Sequence, residues 1–355
     1  DIPEEIHGEI EKVYDNLLFY DEHTHGASES IRDPLAQNTI NQWGMKASYA
    51  WEAAKLTTVV EEKAMSIFES ALPKTDKASI AIFNTLNWTR SGMHTVFLSN
   101  EETKGGDFVI VDAEGREIPM QKYQQRTEGA YYGLWVSDIP AMGYLTYSII
   151  PGQTNKPETA DMGKSLENTY YKVEIDESKG VVSSIYDKEL QIELVDPLDS
   201  LSLGNFIYEE LKNRHEMERL TGSRRDTVYK PLNLKRSLMT DVKLVRTQSG
   251  AIYNSLFLNG KMPVCTDSRG VDIEIRLYHY AKKIELHYSI HKLEVTDPEA
   301  VYISFPFQLE AGKLAFEAQG GVVYPGKNQL EGSSSDWNTI QNFASVRNEK
   351  SQIVF

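Results

Sequence analysis

Residues 20–27 have the sequence YDEHTHGA and separate two stretches with the apolar spacing of helices. Two imidazoles, His23 and His25, and two carboxylates, Asp21 and Glu22, fall within five positions of this segment. Such nitrogen and oxygen donors can bind a divalent metal ion or form a charged rim beside a cleft. Because metal sites draw ligands from several parts of a fold, the segment taken alone favours solvated polar side chains.

The apolar spacing on both sides of this segment predicts a helical hairpin. Residues 3–20 place isoleucine, valine and leucine at steps of three and four. Asp33-Pro34 supplies an N-cap followed by proline at the first helical position, so the second helix is expected to start there. It is expected to run to about residue 72, where Leu72-Pro73 ends it. Two helices bury too little surface to fold alone, so the hairpin must pack on a third helix or another domain.

After residue 76 the apolar pattern changes to that of β-strands. Short strands about ten residues apart, joined by polar turns, predict an antiparallel sandwich. The predicted strands are 78–84, 93–98, 107–112, 130–137 and 143–150. Residues 151–165 lack a periodic apolar pattern and are predicted to be a linker.

A second β region follows. One strand is predicted at 166–176 with its return at 181–187, and the strongly alternating segments 271–280 and 283–293 predict a hairpin. Residues 209–236 are charged and weakly patterned, which predicts a surface loop. A further strand is expected at 301–309.

These patterns predict a mainly β protein with an N-terminal helical part. The expected domains are a helical bundle segment at 1–75, a small β-sandwich at 76–155 and a large β-sandwich at 156–355. The chain opens in a helix without a leader and stops in an apolar strand-like segment, so we expect it to be cut at both ends.

Composition limits the classes of partner. A net charge of −15 and a pI near 5.1 argue against nucleic acid and against an anionic membrane, and no apolar run has the length of a membrane-spanning helix. The single cysteine, Cys265, excludes an internal disulfide and is expected to pack as a small apolar residue. The compartment stays undetermined, with a lean towards the cytoplasm and with a periplasmic or secreted location left open.

Other catalytic motifs are missing from the sequence. No glycine-rich phosphate loop and no G-x-S-x-G segment occurs. His215-Glu216 resembles half of a zincin motif, but Arg219 stands where the second histidine is required. Composition and spacing by themselves therefore predict helices and β-sandwiches and leave the function open.

The order of eight sequence blocks carries a resemblance to a known family. They are YDEHTHGA (20–27), QWGMKASYAWEA (42–53), IAIFNTLNWTRSG (80–92), IPAMGYLTYSI (139–149), LENTYYKVEID (166–176), KGVVSSIYDKEL (179–190), VYISFPF (301–307) and YPGKNQLEGSSSDWNTIQNF (324–343). In this order they resemble the middle and C-terminal parts of glycoside hydrolase family 38, the retaining α-mannosidases. The resemblance spans nearly the whole chain.

The resemblance implies a fold and a cofactor. It implies a helical hairpin from a three-helix-bundle domain, a small β-sandwich, and a large galactose-mutarotase-like β-sandwich that is incomplete at its C-terminus. In the family, zinc is held by His and Asp residues of an N-terminal catalytic α/β domain together with one His of the helical region, which matches His23. That N-terminal domain is expected to lie outside this chain and to pack on the helical part.

The resemblance also implies roles for individual residues. His23 is the expected metal ligand, and Asp21, Thr24, His25, Asp336 and Trp337 are expected to line the site of a carbohydrate substrate, an α-mannoside. No catalytic residue is expected in this chain, because the nucleophile belongs to the missing domain. The chain alone is therefore expected to be inactive and not to retain zinc, since one imidazole cannot hold the metal.

One departure leaves alternatives open. His25 stands where the family usually has tryptophan, so the wall facing the sugar or the metal shell is expected to differ. A catalytically degenerate relative of the mannosidases is one alternative. A non-catalytic carbohydrate-binding or scaffolding β-sandwich protein is the other.

Overall fold

The computed structural model describes residues 3–22, 29–153, 158–159, 161–217, 231–266, 269–333 and 337–355. Two helices open the chain, and the remaining regular elements of these residues are 22 β-strands, which confirms the mainly β prediction. The chain forms two compact units. The helical unit comprises residues 1–76, 209–235 and 294–300, and the β unit comprises 77–208, 236–293 and 301–355. The division into three domains stays a prediction.

The helical unit is built on the predicted hairpin. Helix α1 spans Glu4–Asp21 and α2 spans Gln37–Ala71. The expected start of α2 at Asp33 is wrong, because the Asp33 carbonyl accepts from the Ala36 N–H at 3.3 Å and from the Thr39 hydroxyl at 3.1 Å. These bonds close a turn around Pro34 before the helix begins. Neither helix of the described residues is both long and apolar enough to cross a membrane.

Two later segments join the helical unit through one arginine. The Arg214 guanidinium donates to the Ile31 carbonyl at 3.3 Å, to the Thr296 carbonyl at 2.9 Å and to Asp297 Oδ1 at 2.7 Å. Its side chain is only 15% exposed, whereas that of Asp297 is 50% exposed, so a mostly buried guanidinium pairs with a carboxylate that still contacts solvent. The interpretation of 209–236 as a surface loop is wrong for 209–211 and 234–236, which belong to two strands, whereas the described residues 212–217 and 231–233 are exposed or half-buried and lie outside strands.

The small sandwich opens the β unit. Its strands are β1 (Ser79–Asn84), β2 (Arg90–Ser99), β3 (Phe108–Val111), β4 (Met120–Gln125), β5 (Gly129–Ile139) and β6 (Gly143–Pro151). They form two three-stranded sheets in the orders β1-β6-β3 and β2-β5-β4. Ile110, Leu134, Val136 and Ile139 form the centre of the shared core and are almost fully buried. Strand β4 was not predicted because only its first two residues are buried and the rest are exposed or half-buried polar side chains and one tyrosine.

The start of the large β region corrects two predictions. The predicted linker contains β7 (Glu158–Thr159), which pairs with the end of a later strand. The single strand predicted at 166–176 is a hairpin of β8 (Ser165–Glu167) and β9 (Tyr171–Asp176). Asn168 causes the break, because its Oδ1 accepts from the Tyr170 and Tyr171 N–H groups at 2.8 and 2.6 Å and closes a turn.

The remaining strands complete four sheets. They are β10 (Val181–Asp187), β11 (Ile192–Glu193), β12 (Phe206–Leu211), β13 (Leu234–Leu238), β14 (Thr240–Ser249), β15 (Tyr253–Lys261), β16 (Val271–Tyr278), β17 (Ile284–Ile290), β18 (Glu299–Ile303), β19 (Lys313–Ala318), β20 (Gly321–Val323), β21 (Ala344–Arg347) and β22 (Gln352–Val354). The orders are β11-β10-β9-β8, β13-β12-β18, β17-β16-β15-β14-β7 and β20-β19-β21-β22.

The five-stranded sheet has one apolar and one polar face. In β16 the residues Val271, Ile273, Ile275 and Leu277 are at most 2% exposed, while the alternate positions carry Asp272, Glu274, Arg276 and Tyr278. This period of two is the signal that predicted the strand. Cys265, just before β16, is buried and free, as expected.

Candidate functional site

The histidine segment follows directly from α1. Asp21 is the last residue of that helix and is exposed, and Glu22 comes after it. His23, Thr24 and His25 lie outside the described residues, so their roles stay predictions. Asp21 and Glu22, the described residues before His23, thus place exposed carboxylates at the beginning of the segment.

Helix α2 holds this flank. The Lys46 ammonium donates to the Glu22 carbonyl oxygen at 2.9 Å and to its carboxylate at 3.0 Å. The Lys46 side chain is 11% exposed and that of Glu22 is 44% exposed. A mostly buried cation that binds both the backbone and the side chain of one residue fixes that residue in position. The position of the chain that enters the histidine segment is thus set by a residue of the other helix.

Trp337, another residue predicted to line the site, carries an exposed aromatic ring. Trp337 is 72% exposed, and its ring packs against Tyr302 with centroids 5.9 Å apart and planes inclined by 38°. The indole is thus supported by Tyr302 and is otherwise largely exposed, and its predicted role stays a prediction. Asp336, the neighbouring predicted residue, lies outside the described residues.

The described histidines of the five-stranded sheet have local partners. His279 Nε2 donates to the Gly250 carbonyl at 2.9 Å, His287 Nε2 to Glu285 at 2.9 Å and His291 Nε2 to Asp272 at 3.3 Å. Across the part of the chain that the structure describes, no group of three or more His, Cys, Asp or Glu side chains could hold a metal ion.

A charged network lies on the polar face of the same sheet. The Arg276 guanidinium is 2.7 Å from Glu274 and 3.6 Å from Glu285, and all three side chains are less than a quarter exposed. The Ser255 hydroxyl donates to Glu274 at 2.8 Å. The Tyr278 hydroxyl donates to Glu285 at 2.7 Å. The network joins three neighbouring strands, β15, β16 and β17.

The network shifts the pKa values of its members. Burial disfavours the charged carboxylate of Glu285, but hydrogen bonds from Lys283, His287 and Tyr278 outweigh burial and lower its pKa to about 2. Burial also raises the pKa of Tyr253, the residue opposite Tyr278, to about 12. At neutral pH the carboxylate is therefore ionised and the phenol is protonated.

Sequence reasoning missed this network. The alternation of β16 and β17 placed the charged residues on one face, but the register that sets Arg276 opposite Glu285 and Ser255 depends on the pairing of β15, β16 and β17. Strand β15 was not predicted, so its contribution could not be anticipated. The only available signal was the unusual charge of the polar positions in β16.

Comparisons with known proteins give one family and one fold. The sequence profile of the "Glycosyl hydrolases family 38 C-terminal domain" matches residues 166–354, more than half of the chain. Comparison with curated proteins gave no match.

Among solved structures, the crystal structure of an α-mannosidase from Enterococcus faecalis V583 matches with a TM-score of 0.60 at 12% sequence identity. The match covers 98% of this chain and 44% of that one, so the chain spans less than half the length of that mannosidase. At this identity the likeness shows a shared fold.

Proposed function

The chain belongs to glycosyl hydrolase family 38, and on that premise we propose that it is part of a zinc-dependent retaining α-mannosidase. The proposed substrates are α-mannosides in glycans or oligosaccharides. The observation that carries the proposal is the match of residues 166–354 to the C-terminal domain of the family. The fold shared with a bacterial α-mannosidase over 98% of the chain supports it.

The proposal assigns the reaction to two parts of a longer protein. A retaining glycosidase needs two carboxyl groups about 5–5.5 Å apart, one as nucleophile and one as acid and base. We assign both to a catalytic domain outside this chain, which packs on the helical part. The proposed contribution of this chain is a set of residues that line the substrate site, namely Asp21, Thr24, His25, Asp336 and Trp337.

We propose that the complete zinc site exists only in the longer protein. Zinc sites take at least three protein ligands, and the described residues hold no such group, so by themselves they do not fit a complete zinc site. We therefore derive no catalytic step through the metal. His23, which follows the residue held by Lys46, is the proposed ligand from this chain.

The test compares the longer protein with the 355-residue chain. We expect the longer protein to hydrolyse an activated α-mannoside and to contain zinc, and the 355-residue chain to do neither. His23→Ala in the longer protein should lower the zinc content and the activity together. His7→Ala, which changes an exposed histidine of α1, is the matched control and should alter neither.

Three results would contradict the proposal. Turnover by the 355-residue chain would show that the catalytic groups lie within it. A longer protein that binds zinc but hydrolyses no α-mannoside would favour a degenerate relative, and one that does neither would favour a non-catalytic carbohydrate-binding or scaffolding protein.

A further inference from the structure

A cleft of about 880 Å³ lies within the β unit, between the small sandwich and the five-stranded sheet. Its floor is the outer face of β14, β15 and β16, and its wall is formed by β4, β5 and the segment between β2 and β3. The volume falls in the upper part of the range of small-molecule sites, about 300–1,000 Å³. Of the site residues predicted from the sequence, the two that the structure describes, Asp21 and Trp337, do not line it.

Two buried tyrosines border the cleft with unused hydroxyl groups. Tyr132 is 8% exposed and Tyr253 is 3% exposed. Within the described residues neither hydroxyl has a hydrogen-bond partner. Although the rings are buried, neither hydroxyl oxygen is itself a buried atom without a partner, so both oxygens reach the solvent that fills the cleft. Since both side chains line the cleft, the cleft is where their partners would be.

Two cations at the cleft also lack carboxylate partners in the described part of the chain. The Arg246 guanidinium carbon lies 3.7 Å from the centre of the Phe257 ring, a contact that packs the cation against the floor. Lys122 on β4 stands on the wall. A guanidinium fixed on an aromatic ring keeps its N–H groups in a plane and ready to donate to oxygen atoms of a ligand.

A third cation is neutralised within the protein. Arg276 also lines the cleft, and it is paired with Glu274 at 2.7 Å and stacked 4.8 Å from the centre of the Tyr253 ring. Its Nε is buried and has no partner among the described residues. The cleft therefore offers many donors but only a small excess of positive charge, which suits a neutral ligand rich in oxygen atoms better than a strongly anionic one.

The cleft also offers an aromatic surface. The Tyr123 ring on the wall is 43% exposed and packs against Tyr131 with centroids 6.1 Å apart. A supported, exposed ring beside hydroxyl and guanidinium donors matches a sugar, which has an apolar face of C–H groups and a rim of hydroxyl groups.

We propose that this cleft is a carbohydrate-binding site contained within the β unit and that it takes a mannose-containing oligosaccharide. The choice of mannose rests on the proposed function, whereas the choice of a polyhydroxylated ligand rests on the cleft. Arg246, Lys122 and the hydroxyls of Tyr132 and Tyr253 bind the sugar oxygens, and Tyr123 packs on a ring face. Burial raises the pKa of Tyr253 to about 12, still further above neutral pH than that of a free phenol, so its hydroxyl is protonated there and can donate a hydrogen bond.

The test titrates the 355-residue chain with α-linked mannotriose by isothermal titration calorimetry. Two variants each remove one group that is proposed to bind the sugar. Tyr253→Phe deletes one hydroxyl and should weaken binding roughly five- to tenfold, the effect of one lost hydrogen bond. Arg246→Leu removes the fixed cation and should weaken binding about tenfold.

Each variant has a matched control. Tyr147→Phe deletes the hydroxyl of another buried tyrosine, in the core of the small sandwich, and Arg126→Leu removes an exposed arginine. Neither residue lines the cleft, so both controls should bind as the parent chain does. Circular dichroism of all four variants checks that they are folded.

Three outcomes would overturn the inference. The first is no detectable binding of mannotriose at about 10 mM, which would mean an affinity too weak to be useful. The second is binding that the two cleft variants leave unchanged. The third is binding of inorganic phosphate with the same dependence on Arg246, which would make the cleft an anion site. Binding by the chain while the longer protein hydrolyses no α-mannoside would overturn the proposed function alone. Hydrolysis without binding by the chain would overturn this inference alone.

Discussion

The Lys46 ammonium on α2 lies 2.9 Å from the carbonyl oxygen of Glu22 and 3.0 Å from its carboxylate, at the residue that precedes His23. The two residues are 24 positions apart in the sequence. The contact closes the helical hairpin at the end that carries the histidine segment. It links the stability of the hairpin to the position of the proposed metal ligand.

Lys46→Met is expected to destabilise the hairpin. It keeps the apolar stem but removes a mostly buried cation from a carbonyl and a carboxylate, which should cost about 1–2 kcal/mol in the free energy of unfolding. Urea unfolding followed by far-UV circular dichroism measures it. Lys55→Met is the control on the same helix, because Lys55 pairs with Glu52 at a site where both side chains are more than half exposed. This variant should change the free energy of unfolding by less than about 0.5 kcal/mol. Equal losses of unfolding free energy in both variants would show that the Lys46 contact stabilises the hairpin no more than an exposed ion pair does.

Asn84 is expected to stabilise the small sandwich through its amide. Its Nδ2 donates to the carbonyls of Trp88 at 2.7 Å and of Ile139 and Pro140 at 3.1 Å, and its side chain is 3% exposed. Asn84→Ala leaves buried carbonyl groups unsatisfied and should cost about 2–3 kcal/mol. Thermal unfolding followed by calorimetry measures this loss of stability. Asn87→Ala, at an exposed position, is the control, and its stability should stay close to that of the parent chain.

Glu285 is expected to make the stability of the β unit depend on acid pH. Its pKa is lowered from 4.5 to about 2 in the folded chain, so its stabilisation is complete above about pH 4.5 and is lost as the pH falls towards 2. A shift of that size corresponds to on the order of 3 kcal/mol. Unfolding free energies should therefore fall more steeply between pH 5 and about 2.5 in the parent chain than in Glu285→Gln.

The control for this experiment is Glu128→Gln, which changes an exposed carboxylate of the small sandwich. Its pH profile should follow that of the parent chain. If Glu285→Gln follows the same profile, the hydrogen bonds from Tyr278, His287 and Lys283 do not stabilise the folded state.

Gln121 and Gly250 are expected to be energetically coupled. Gln121 is 1% exposed, and its Oε1 accepts from the Ile252 and Tyr253 N–H groups at 3.0 and 3.2 Å. A Cβ on Gly250 would lie 2.2 Å from that oxygen. Gly250→Ala should therefore lower the free energy of unfolding by about 1–3 kcal/mol. The loss should be smaller when Gln121→Ala has already removed the side chain that the new methyl group would meet.

A double-mutant cycle measures the coupling, which should be at least about 1 kcal/mol. Gly92→Ala is the control for the added methyl group, because a Cβ there meets no atom within 4 Å. Additive effects of Gly250→Ala and Gln121→Ala would show that the two groups do not compete for the same space.

Local signals predicted much of the fold. The steps of three and four placed α1 within one residue of Glu4–Asp21, and the alternation of β16 and β17 revealed their hairpin. The same signals failed where polar residues dominate a strand, as in β4, or where a side chain rearranges the backbone. Asn168 split a predicted strand, and the carbonyl of Asp33 delayed the start of α2.

The candidate site was predicted less completely than the fold. The resemblance singled out Asp21, His23, Thr24, His25, Asp336 and Trp337, and the structure describes Asp21 and Trp337 among them. The cleft beside Tyr132 and Tyr253 had no sequence signal, because these residues are 121 positions apart and belong to different sheets.

The sequence by itself determined the helical hairpin, the strands with a clear alternation such as β16 together with their buried faces and, through residues 166–354, the family. Periodicity records which face of an element is apolar, and that property belongs to the local chain. Only the tertiary structure decided that Lys46 binds Glu22, that Arg276 pairs with Glu274 and lies near Glu285, and that two tyrosines open onto one cleft. The partners of a polar group depend on register and packing between distant segments, which no local pattern encodes.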